Sequence, residues 1–433
     1  MPQDIALVGG RLIDGHGGPP LEDACLLVRG RDILAVGPRA RVGIPDGARV
    51  YNLAGQTLLP GLIDVHVHLR SYAGQDRSDF YMWSQATFLE EQVLHAAANA
   101  RRALEAGFTT LRDAAGSRLE IALKRATDQQ LLDGARVVVA GFVGMTGGHG
   151  DLFTPPAVER RPFPTADGPD ECRKLVRAYA RDGVDWIKIC TSGGVLSIGD
   201  ESEWRNYTRE ETRVIVDEAH ALGKRVAAHA HTRAGAEQAL DAGVDSIEHG
   251  SGLDVHLVER MLESGTWLCP TLAVSEQIHA HGRERGVPPA ALAKNDKVRS
   301  SRLEAARLAA AAGVQMFLGT DTSSILPFGR HAWELELLVS LLDVSPMRAL
   351  QMATRDAASG LGLGDRCGVL EAGRWADVLV LDGDPLADIR LLQTPERITA
   401  VFRDGRLLVD RGLSALEGAA GAVAAPSRHV AVS

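Results

Sequence analysis

The stretch Leu59-Pro-Gly-Leu-Ile-Asp-Val-His-Val-His68 carries the fold prediction for this chain. It is a short, almost continuous apolar run, typical of a strand buried in a parallel sheet. It ends in two histidines, and alternate side chains of a strand share one face. The stretch therefore predicts a buried strand with His66 and His68 on the same side of its carboxyl end.

Similar apolar runs alternate with helical patterns through the middle of the chain. Predicted strands cover residues 58–67, 108–112, 135–140, 184–190, 225–230, 244–248, 266–269 and 315–320. Predicted helices between them include 87–106, 208–222, 234–242, 254–264 and 296–312. Eight strands with intervening helices are typical of a (β/α)8 barrel. An open doubly wound sheet is the alternative, but no G-x-G-x-x-G follows the first strand. We therefore predict an α/β chain with a (β/α)8 barrel over residues 58–365.

The two ends of the chain have a different pattern. Residues 1–57 and 366–413 contain short alternating runs separated by Gly, Pro and Asp, which predict antiparallel strands with tight turns. Neither segment is long enough to build a core alone. We therefore predict one small β-sandwich domain formed by both termini, with the barrel inserted between its two parts. Residues 414–433, rich in Ala, Gly and Ser, are predicted to be a flexible tail.

Composition limits the class of partner and the compartment. The 433 residues contain 47 Lys+Arg and 56 Asp+Glu, a net charge of −9, and so lack the basic footprint that nucleic acid or an anionic membrane requires. The five cysteines are scattered and form no CxxC pair, which argues against a disulfide framework. We see no signal-peptide pattern and no apolar stretch of membrane-spanning length. We therefore expect a cytoplasmic protein that binds neither nucleic acid nor membrane.

Residues that bind metal ions or transfer protons stand at the predicted ends of five strands. The active site of a (β/α)8 barrel is built at the carboxyl ends of its strands. The residues found there are His66, His68, Lys188, His229, His231, His249 and Asp321. Imidazole nitrogens and carboxylate oxygens suit zinc or a similar divalent ion. Their convergence predicts a metal centre at the mouth of the barrel.

Lys188 distinguishes a centre with two metal ions from a centre with one. Two cations would repel an ammonium group, whereas a buried, neutral amine can add CO2 and become a carbamate. A carbamate resembles a carboxylate and can bridge two ions. The alternative is an ordinary ion pair between Lys188 and Glu201 or Glu203 in the following loop.

Taken together, these motifs resemble the metal-dependent amidohydrolase superfamily, in its prolidase-like branch related to imidazolonepropionases. Further supporting stretches are Thr146-Gly-Gly-His-Gly-Asp151, Ile187-Lys-Ile-Cys-Thr-Ser-Gly-Gly194, Ser246-Ile-Glu-His-Gly250, Met352-Ala-Thr-Arg-Asp-Ala357 and Ala376-Asp-Val-Leu-Val-Leu381. The resemblance covers nearly the whole chain except the tail. It implies a homo-oligomer and two divalent metal ions, which we expect to be zinc.

The resemblance also implies a role for each ligand residue. His66, His68 and Asp321 would hold the more buried ion, and a CO2-derived carbamate on Lys188 would bridge it to the second. His249 and one histidine of strand five would hold that second ion. We assign His229, because its spacing to His249 is similar to that of relatives, and expect His231 to meet the substrate. The reverse assignment is the alternative.

The implied reaction is hydrolysis of an amide C–N bond by metal-bound hydroxide. Substrates of this branch are dipeptides such as Xaa-Pro and N-acyl or aryl-acyl amino acids such as ochratoxin-like amides. Asp321 would take the proton of the attacking water and pass it to the leaving nitrogen. His149 would donate to the oxyanion, or alternatively stabilise its own loop. Arg70 and Arg233 are placed to bind a substrate carboxylate, or are surface arginines paired with Asp or Glu.

Other reactions fit the same metal core. Carbamates, phenylureas, lactones, phosphotriesters and the cyclic amide of imidazolonepropionases are alternative substrates. A mononuclear deaminase usually lacks the lysine of strand four, and a non-catalytic relative would lack a ligand. The remaining histidines match no ligand spacing, and only His279 and His281, in the loop after strand seven, are candidates for a role; the others are His16, His95, His220, His256, His331 and His429.

Overall fold

The computed structural model describes residues 3–74, 80–155, 157–159 and 161–418. Its strands are β1 (Ile5–Leu12), β2 (Leu21–Arg29), β3 (Asp32–Pro38), β4 (Arg49–Asn52), β5 (Gln56–Pro60), β6 (Leu62–Val67), β7 (Phe108–Gly116), β8 (Arg136–Phe142), β9 (Trp186–Cys190), β10 (Arg225–Ala230), β11 (Ser246–His249), β12 (Trp267–Cys269), β13 (Val378–Asp382), β14 (Ile398–Arg403) and β15 (Arg406–Asp410). Its α-helices are α1 (Phe80–Ala86), α2 (Leu89–Glu105), α3 (Arg118–Asp128), α4 (Pro169–Asp182), α5 (Arg209–Ala221), α6 (Arg233–Ala242), α7 (Val255–Ser264), α8 (Leu272–His281), α9 (Pro289–Ala312), α10 (Trp333–Leu342), α11 (Pro346–Met352) and α12 (Arg355–Leu361).

Strands β6 to β12 form a nearly closed parallel barrel in the order β12-β11-β10-β9-β8-β7-β6. Residues 314–322 fill the gap between its two edges. Met316 bridges Leu268 in β12, and Thr322 bridges Val67 in β6. The predicted eighth strand, 315–320, is therefore wrong as a regular strand, because this segment forms only isolated bridges. It nevertheless occupies the eighth position, and the mixed α/β barrel architecture is confirmed.

The strands from both termini, β1–β5 and β13–β15, form one eight-stranded sheet in the order β15-β14-β13-β5-β1-β2-β3, with β4 beside β1. The sheet divides at β1, whose residues 5–8 pair with β4 and whose residues 11–12 pair with β5. Both ends of the chain thus share a sheet, as expected. A separate β-sandwich domain is not confirmed, because all of these strands belong to one continuous hydrogen-bonded sheet.

The predicted strand 58–67 is in fact two strands in different sheets. Strand β5 belongs to the terminal sheet and β6 to the barrel. Gly61 separates them where the backbone passes so close to Thr109 that an added Cβ would overlap its side chain. Hydrophobicity does not reveal this break, because both strands are buried. The predicted domain boundary 57/58 falls inside β5; the division into domains remains a prediction, and most of the tail lies outside the described residues.

The helices cover the outside of the barrel and agree well with the predicted ranges. The predicted helices 87–106, 208–222, 234–242 and 254–264 correspond to α2, α5, α6 and α7, whereas α9 begins at Pro289 rather than at residue 296. Ser117 and Thr208 begin α3 and α5 with capping boxes, which satisfy backbone N–H groups of the first turn. Within the described ranges, no helix has the length and apolar character that a membrane crossing needs.

Candidate active site

The carboxyl ends of the barrel strands open into a cavity of about 730 Å³. Most of the residues predicted for the site line this cavity: His66, His68, Arg70, His149, Lys188, His229, His231, His249 and Asp321. They come from strands that are far apart in the sequence, and the parallel barrel brings their carboxyl ends together. Arg233 is the one predicted site residue that does not line the cavity.

One group of ligand atoms surrounds Asp321. Its Oδ1 lies 2.9 Å from Nε2 of His68 and 3.7 Å from Nε2 of His66. His66, His249 and Asp321 each offer a ligand atom, and these atoms lie within 4.8 Å of one another. Two imidazole nitrogens and a carboxylate oxygen form a donor set that suits zinc and similar divalent ions. The side chains present therefore fit a metal ion at this position.

A second group consists of three histidines. His229, His231 and His249 offer ring nitrogens that also lie within 4.8 Å of one another. Nδ1 of His231 lies 3.1 Å from Oγ of Ser251, and Nε2 of His229 lies 3.1 Å from the carbonyl oxygen of Gly193. Both histidines of strand five therefore stand close enough to His249 to share an ion, and the choice of His229 as the ligand remains a prediction.

Electrostatics keep most of these groups in the forms that bind cations; the exception is His68, where Asp321 outweighs burial and raises the pKa of the ring. Burial, reinforced by the charge of Lys188, lowers the pKa of His66 to about 4. Burial likewise lowers the pKa of three further histidines far below its ordinary value: His229, His231 and His249. Burial opposes ionisation of Asp321, but His66 and His68 outweigh it and hold its pKa below the ordinary value. Metal ligands must be deprotonated, and the neutral imidazoles and ionised carboxylate meet this condition.

Lys188 lies in β9 with only 3% of its surface exposed. Throughout the described ranges, its ammonium group forms no ion pair with a carboxylate. Glu203 instead accepts from Nζ of Lys297 at 2.6 Å, and Glu201 forms no ion pair within the same residues. The ion pair of Lys188 with Glu201 or Glu203, which the sequence left open, is therefore not formed in this structure.

A buried ion pair orients His66, and the sequence did not single it out. Glu248 Oε2 lies 2.7 Å from Nδ1 of His66, and Arg112 donates from Nη2 to Glu248 Oε1 at 2.7 Å. Both partners of the ion pair are fully buried. A carboxylate that accepts from Nδ1–H leaves Nε2 free to bind a metal ion. Glu248 precedes His249 in β11, but neighbouring side chains of a regular strand face opposite ways, so sequence alone did not place both in the site.

A left-handed backbone conformation at His249 explains how Glu248 and His249 can both face the site. Thr271 and Asp321, also at the mouth of the barrel, share this conformation. The φ angles are +67° at His249, +48° at Thr271 and +59° at Asp321, values that residues other than glycine seldom adopt. The turn at His249 brings its ring to within 5.2 Å of the His66 ring, while Glu248 also contacts His66. Thr271 Oγ1 lies 2.7 Å from Nδ1 of His249. Strain of this kind often marks functional sites, and no sequence pattern pointed to Thr271.

Asp64 joins the first barrel strand to the closing segment. Its carboxylate accepts from the backbone N–H of His66 at 3.0 Å and from Oγ1 of Thr320 at 2.6 Å. Nδ1 of the fully buried His331 lies 2.8 Å from Oδ2 of Asp64, the same oxygen that accepts from Thr320. His331 therefore supports the strand that carries His66, and its having no role as a ligand remains a prediction.

His149 lies in the loop after β8 and lines the cavity. Its Nδ1 lies 2.8 Å from Oγ of Ser197, and this Oγ lies 2.7 Å from Oδ1 of Asp200. Its ring stacks on that of His229 with a centroid distance of 4.5 Å. Gly194 makes room for this ring, because an added Cβ would overlap it. His149 thus makes a hydrogen bond that stabilises its loop, as the alternative interpretation of the sequence expects. Its role as a donor to substrate remains a prediction.

The two arginines proposed for substrate binding differ in position. Arg70 lines the cavity, but it forms an ion pair with Glu120, whose Oε1 lies 2.5 Å from its Nε. Arg233 begins α6 in the outer helical layer and pairs with Asp254, the N-cap residue of α7, at 2.6 Å and with Glu237 at 3.3 Å. The structure therefore does not bring Arg233 to the site, and the surface ion pair is the arrangement found.

His279 and His281 also lie outside the site. They belong to the last turn of α8, where Nδ1 of His279 lies 3.0 Å from Asp296 and Nδ1 of His281 lies 3.2 Å from Glu284. Both side chains are half exposed, and neither lines the cavity. The segment after strand seven forms a helix rather than the expected loop, and this helix directs both rings towards surface carboxylates.

Comparison with known proteins agrees with this geometry. The profile of the Amidohydrolase family matches residues 57–408. Ochratoxinase of Aspergillus niger is 33% identical over 431 residues, which cover 94% of this chain and 87% of that protein. A prolidase solved in complex with N-methylphosphonate-L-proline is 31% identical, with a TM-score of 0.86 over 94% of this chain and 100% of that chain. Imidazolonepropionase of Deinococcus radiodurans is 29% identical over 90% of this chain and 92% of that protein.

These matches confirm the predicted class of enzyme, a hydrolase that acts on C–N bonds. They agree with the ligand-type residues that the structure collects in one cavity at the carboxyl end of the barrel. The chain therefore belongs to the amidohydrolase family, and its relatives lie in the prolidase-like branch that its motifs resemble.

Proposed function

We propose that this chain is a binuclear metal-dependent amidohydrolase that cleaves the amide bond of a dipeptide or of an N-acyl amino acid. The observation that carries this proposal is the convergence of five imidazoles, Lys188 and Asp321 in one cavity at the carboxyl end of the barrel. The relatives act on related bonds, since they include an ochratoxinase and a prolidase.

The residues of the cavity divide into two metal sites. His66, His68 and Asp321 would hold the more buried ion, and His249 with His229 would hold the other. We propose zinc for both positions, because imidazole nitrogen and carboxylate oxygen are its common ligands at catalytic sites. Two such ions would supply Lewis acidity, which polarises the scissile carbonyl and acidifies water.

The environment of Lys188 supports a carbamate between the two sites. A buried ammonium without a counter-ion is unfavourable, and within the described residues Lys188 has no carboxylate partner. In the carbamate, Nζ of the neutral amine bonds to the carbon of CO2 and one proton is released. The resulting anion would compensate the positive charge of the centre, which the ammonium form would increase.

Asp321 and His149 are the residues that we propose for proton transfer and oxyanion stabilisation. Asp321 is held ionised by His66 and His68, so its carboxylate can accept a proton from the attacking water and return it to the leaving nitrogen. In this proposal the Ser197 hydroxyl donates to Nδ1 of His149, which places the proton of the neutral ring on Nε2, where it can donate to the substrate oxygen. Removal of one such donor costs about 3 kcal/mol of transition-state stabilisation.

The lining of the cavity supports substrates with a large apolar group. Aromatic and aliphatic side chains form much of its wall, among them Trp83, Phe142, Phe163, Tyr179, Val274 and Ile278. Such walls bury the apolar parts of a ligand, while a few polar groups set its orientation. We therefore favour N-acyl or aryl-acyl derivatives of apolar amino acids, and Xaa-Pro dipeptides with an apolar first residue.

A substrate screen tests this proposal. Zinc-loaded protein should hydrolyse Xaa-Pro dipeptides or N-acyl amino acids, including ochratoxin, and the Asp321→Asn variant should lose this activity. Aryl carbamates, phenylureas, lactones, phosphotriesters and the cyclic amide of imidazolonepropionases complete the panel as alternatives. Turnover confined to phosphotriesters or lactones would refute amide hydrolysis.

Metal analysis tests the binuclear centre separately. Protein prepared with zinc and bicarbonate should contain two equivalents of metal per chain, and Lys188→Ala should contain fewer. A single equivalent that is insensitive both to Lys188→Ala and to bicarbonate would contradict the carbamate and favour a mononuclear site.

We also propose that the enzyme acts in the cytoplasm as a homo-oligomer. All five cysteines are buried and unpaired, which is compatible with a reducing compartment. Light scattering after gel filtration measures the oligomeric state, and a single-chain mass across a wide concentration range would contradict it.

A further inference from the structure

One arginine in the wall of the cavity forms no ion pair with any carboxylate that the structure describes. Arg302 lies in α9 with 2% of its surface exposed and lines the cavity. Its Nη1 donates to the carbonyl oxygen of Thr271 at 2.9 Å, and its buried Nε has no hydrogen-bond partner in the described part of the chain. Within the same ranges, its guanidinium forms no ion pair with a carboxylate.

The other arginines of the described cavity wall are neutralised. Arg70 pairs with Glu120 at 2.5 Å, Arg118 with Asp182 at 2.8 Å and Arg161 with Asp151 at 3.4 Å. Their charges are therefore already compensated by neighbouring carboxylates, and none offers a free partner to an anion. Arg302 differs from these three because it is deeply buried and, among the described residues, has no carboxylate at ion-pair distance.

The rest of the buried face of α9 shows that this difference is specific to Arg302. Lys294 and Asn295 are also buried on this helix. Lys294 donates to the carboxylate of Asp200 at 2.9 Å, and Asn295 exchanges hydrogen bonds with Ser275 at 3.0 Å. The helix thus satisfies its other buried polar side chains by contacts within the protein, and it leaves the charge of Arg302 without a partner.

A buried charge without a partner is unfavourable, and it is stabilised by a ligand of opposite charge. Burial lowers the pKa of Arg302 to about 10, so the guanidinium remains charged at neutral pH. The planar fork of a guanidinium matches the two oxygens of a carboxylate. Arg302 also lies close to the proposed metal site, because Thr271, which accepts from its Nη1, has its Oγ1 2.7 Å from Nδ1 of His249.

We propose that Arg302 determines specificity by binding the free carboxylate of the substrate. This inference rests on the proposed amide hydrolysis. It assigns to Arg302 the binding of the substrate carboxylate, for which Arg70 and Arg233 were the candidates from the sequence. In a dipeptide or an N-acyl amino acid, the carboxylate belongs to the amino acid whose nitrogen is released. The substrate would therefore extend from the metal centre to the α8–α9 wall, with its scissile carbonyl at the metals and its carboxylate at Arg302.

The same contacts allow a different role, which the experiment must separate. Arg302 contacts Thr271, and Thr271 contacts the ligand His249, so Arg302 can also position a metal ligand. A positioning role affects every substrate equally. A carboxylate-binding role affects only substrates that carry the carboxylate.

The test compares matched substrates with and without the carboxylate. Met-Pro and N-benzoyl-Phe are assayed beside their C-terminal primary amides, with wild type, Arg302→Met and Arg302→Lys. We expect Arg302→Met to lower kcat/KM for the acids about 100-fold and for the amides less than threefold, with Arg302→Lys in between. The ratio of acid to amide is measured in one preparation, so partial unfolding of a variant does not change it. Arg299→Met is the control, because Arg299 lies one turn earlier and pairs with Glu276 at the surface.

Two results would overturn the proposal: an equal loss for acids and amides together with a lower zinc content, or no selective loss for the acids. If wild type hydrolyses none of these compounds, amide hydrolysis itself fails. Titration calorimetry then tests Arg302 independently, with N-benzoyl-Phe and its amide as ligands of the zinc-loaded protein. Tighter binding of the acid to wild type, lost in Arg302→Met, supports the carboxylate site, and equal binding of both compounds rejects it.

Discussion

Replacing Glu248 by glutamine tests how the barrel prepares a metal ligand. Oε1 of Glu248 accepts from Nη2 of Arg112 at 2.7 Å and from Oγ of Ser246 at 2.6 Å, while Oε2 faces Nδ1 of His66 at 2.7 Å. Glutamine replaces one of these oxygens by an NH2 group. With the NH2 group at the Oε1 position, Arg112 and Ser246, which both donate to Oε1, would face a donor instead of an acceptor. With the NH2 group at the Oε2 position, only the contact with His66 is reversed.

The second orientation is the less unfavourable one, and it changes the tautomer of His66. Nδ1 must then accept a hydrogen bond, so the proton of the neutral ring moves to Nε2. A protonated Nε2 cannot bind a metal ion. Loss of such an orienting partner typically weakens metal binding 10–100-fold, which corresponds to about 1.4–2.8 kcal/mol. Arg112 also loses its buried counter-ion, for which we expect an additional loss of folding stability of about 3–5 kcal/mol.

The assay separates these two effects by means of a control variant. Zinc affinity is measured by competition with a chelator, and stability is measured by urea unfolding of the metal-free protein. Asp377 accepts a hydrogen bond from the buried Arg136 at 2.6 Å. Arg136 begins β8 at the amino end of the barrel, opposite the site. Asp377→Asn therefore makes the same change, from carboxylate to amide, far from the proposed metal ligands. We expect both variants to be less stable, but only Glu248→Gln to bind zinc more weakly. Wild-type zinc affinity in folded Glu248→Gln would refute the proposed role of Glu248.

Three further predictions follow from the structure. Gly194→Ala should displace His149 and lower kcat at least 100-fold with little change in Tm. Gly43→Ala is the control and should change neither kcat nor Tm, because an added Cβ at Gly43 meets open space. An unchanged kcat in Gly194→Ala would argue against a role for His149. Burial opposes ionisation of Asp404, but Arg136 outweighs it and lowers the pKa of this carboxyl from 3.8. The contribution of Asp404 to stability is therefore present above about pH 4 and is lost as the pH falls further. In urea unfolding at pH 3–7, the free energies of unfolding of wild type and Asp404→Asn should converge only at the acidic end. A constant difference between them at all pH values would contradict this linkage. Zinc at about 100 times its Kd should increase the free energy of unfolding of metal-free protein by about 2.7 kcal/mol for each site that it fills, as measured by urea unfolding, and an unchanged value would mean that the native state does not bind zinc selectively.

The sequence predicted the elements and ligand candidates that depend on local patterns. Alternation and apolar runs identify strands, and the carboxyl ends of barrel strands are where the fold places its active site. The His66-Val-His68 pair is an example, because two residues of one strand separated by a single position share a face in any sheet. The ranges of α2, α5, α6 and α7 were also predictable, because a helical pattern of apolar residues lies within one segment.

Errors in the fold prediction arose where hydrophobicity is the same on both sides of a structural break. Residues 58–67 read as one apolar strand, although β5 and β6 belong to different sheets. The closing segment 314–322 has the composition of a strand, but it forms only isolated bridges to its neighbours. The pattern of apolar residues indicates which residues are buried, but it does not indicate which strand their backbone pairs with.

The sequence by itself determined which residues of this protein are candidates for binding metal, because the types of side chain and their positions at strand ends are local properties. Only the tertiary structure decided which cations are compensated: it pairs Arg233 with Asp254 outside the site and leaves Arg302 uncompensated inside it. Only the tertiary structure joined His66 to Glu248 across 182 positions of the sequence. The physical reason is that ion pairing and burial depend on distances between segments far apart in the chain, and those distances exist only after the barrel has closed.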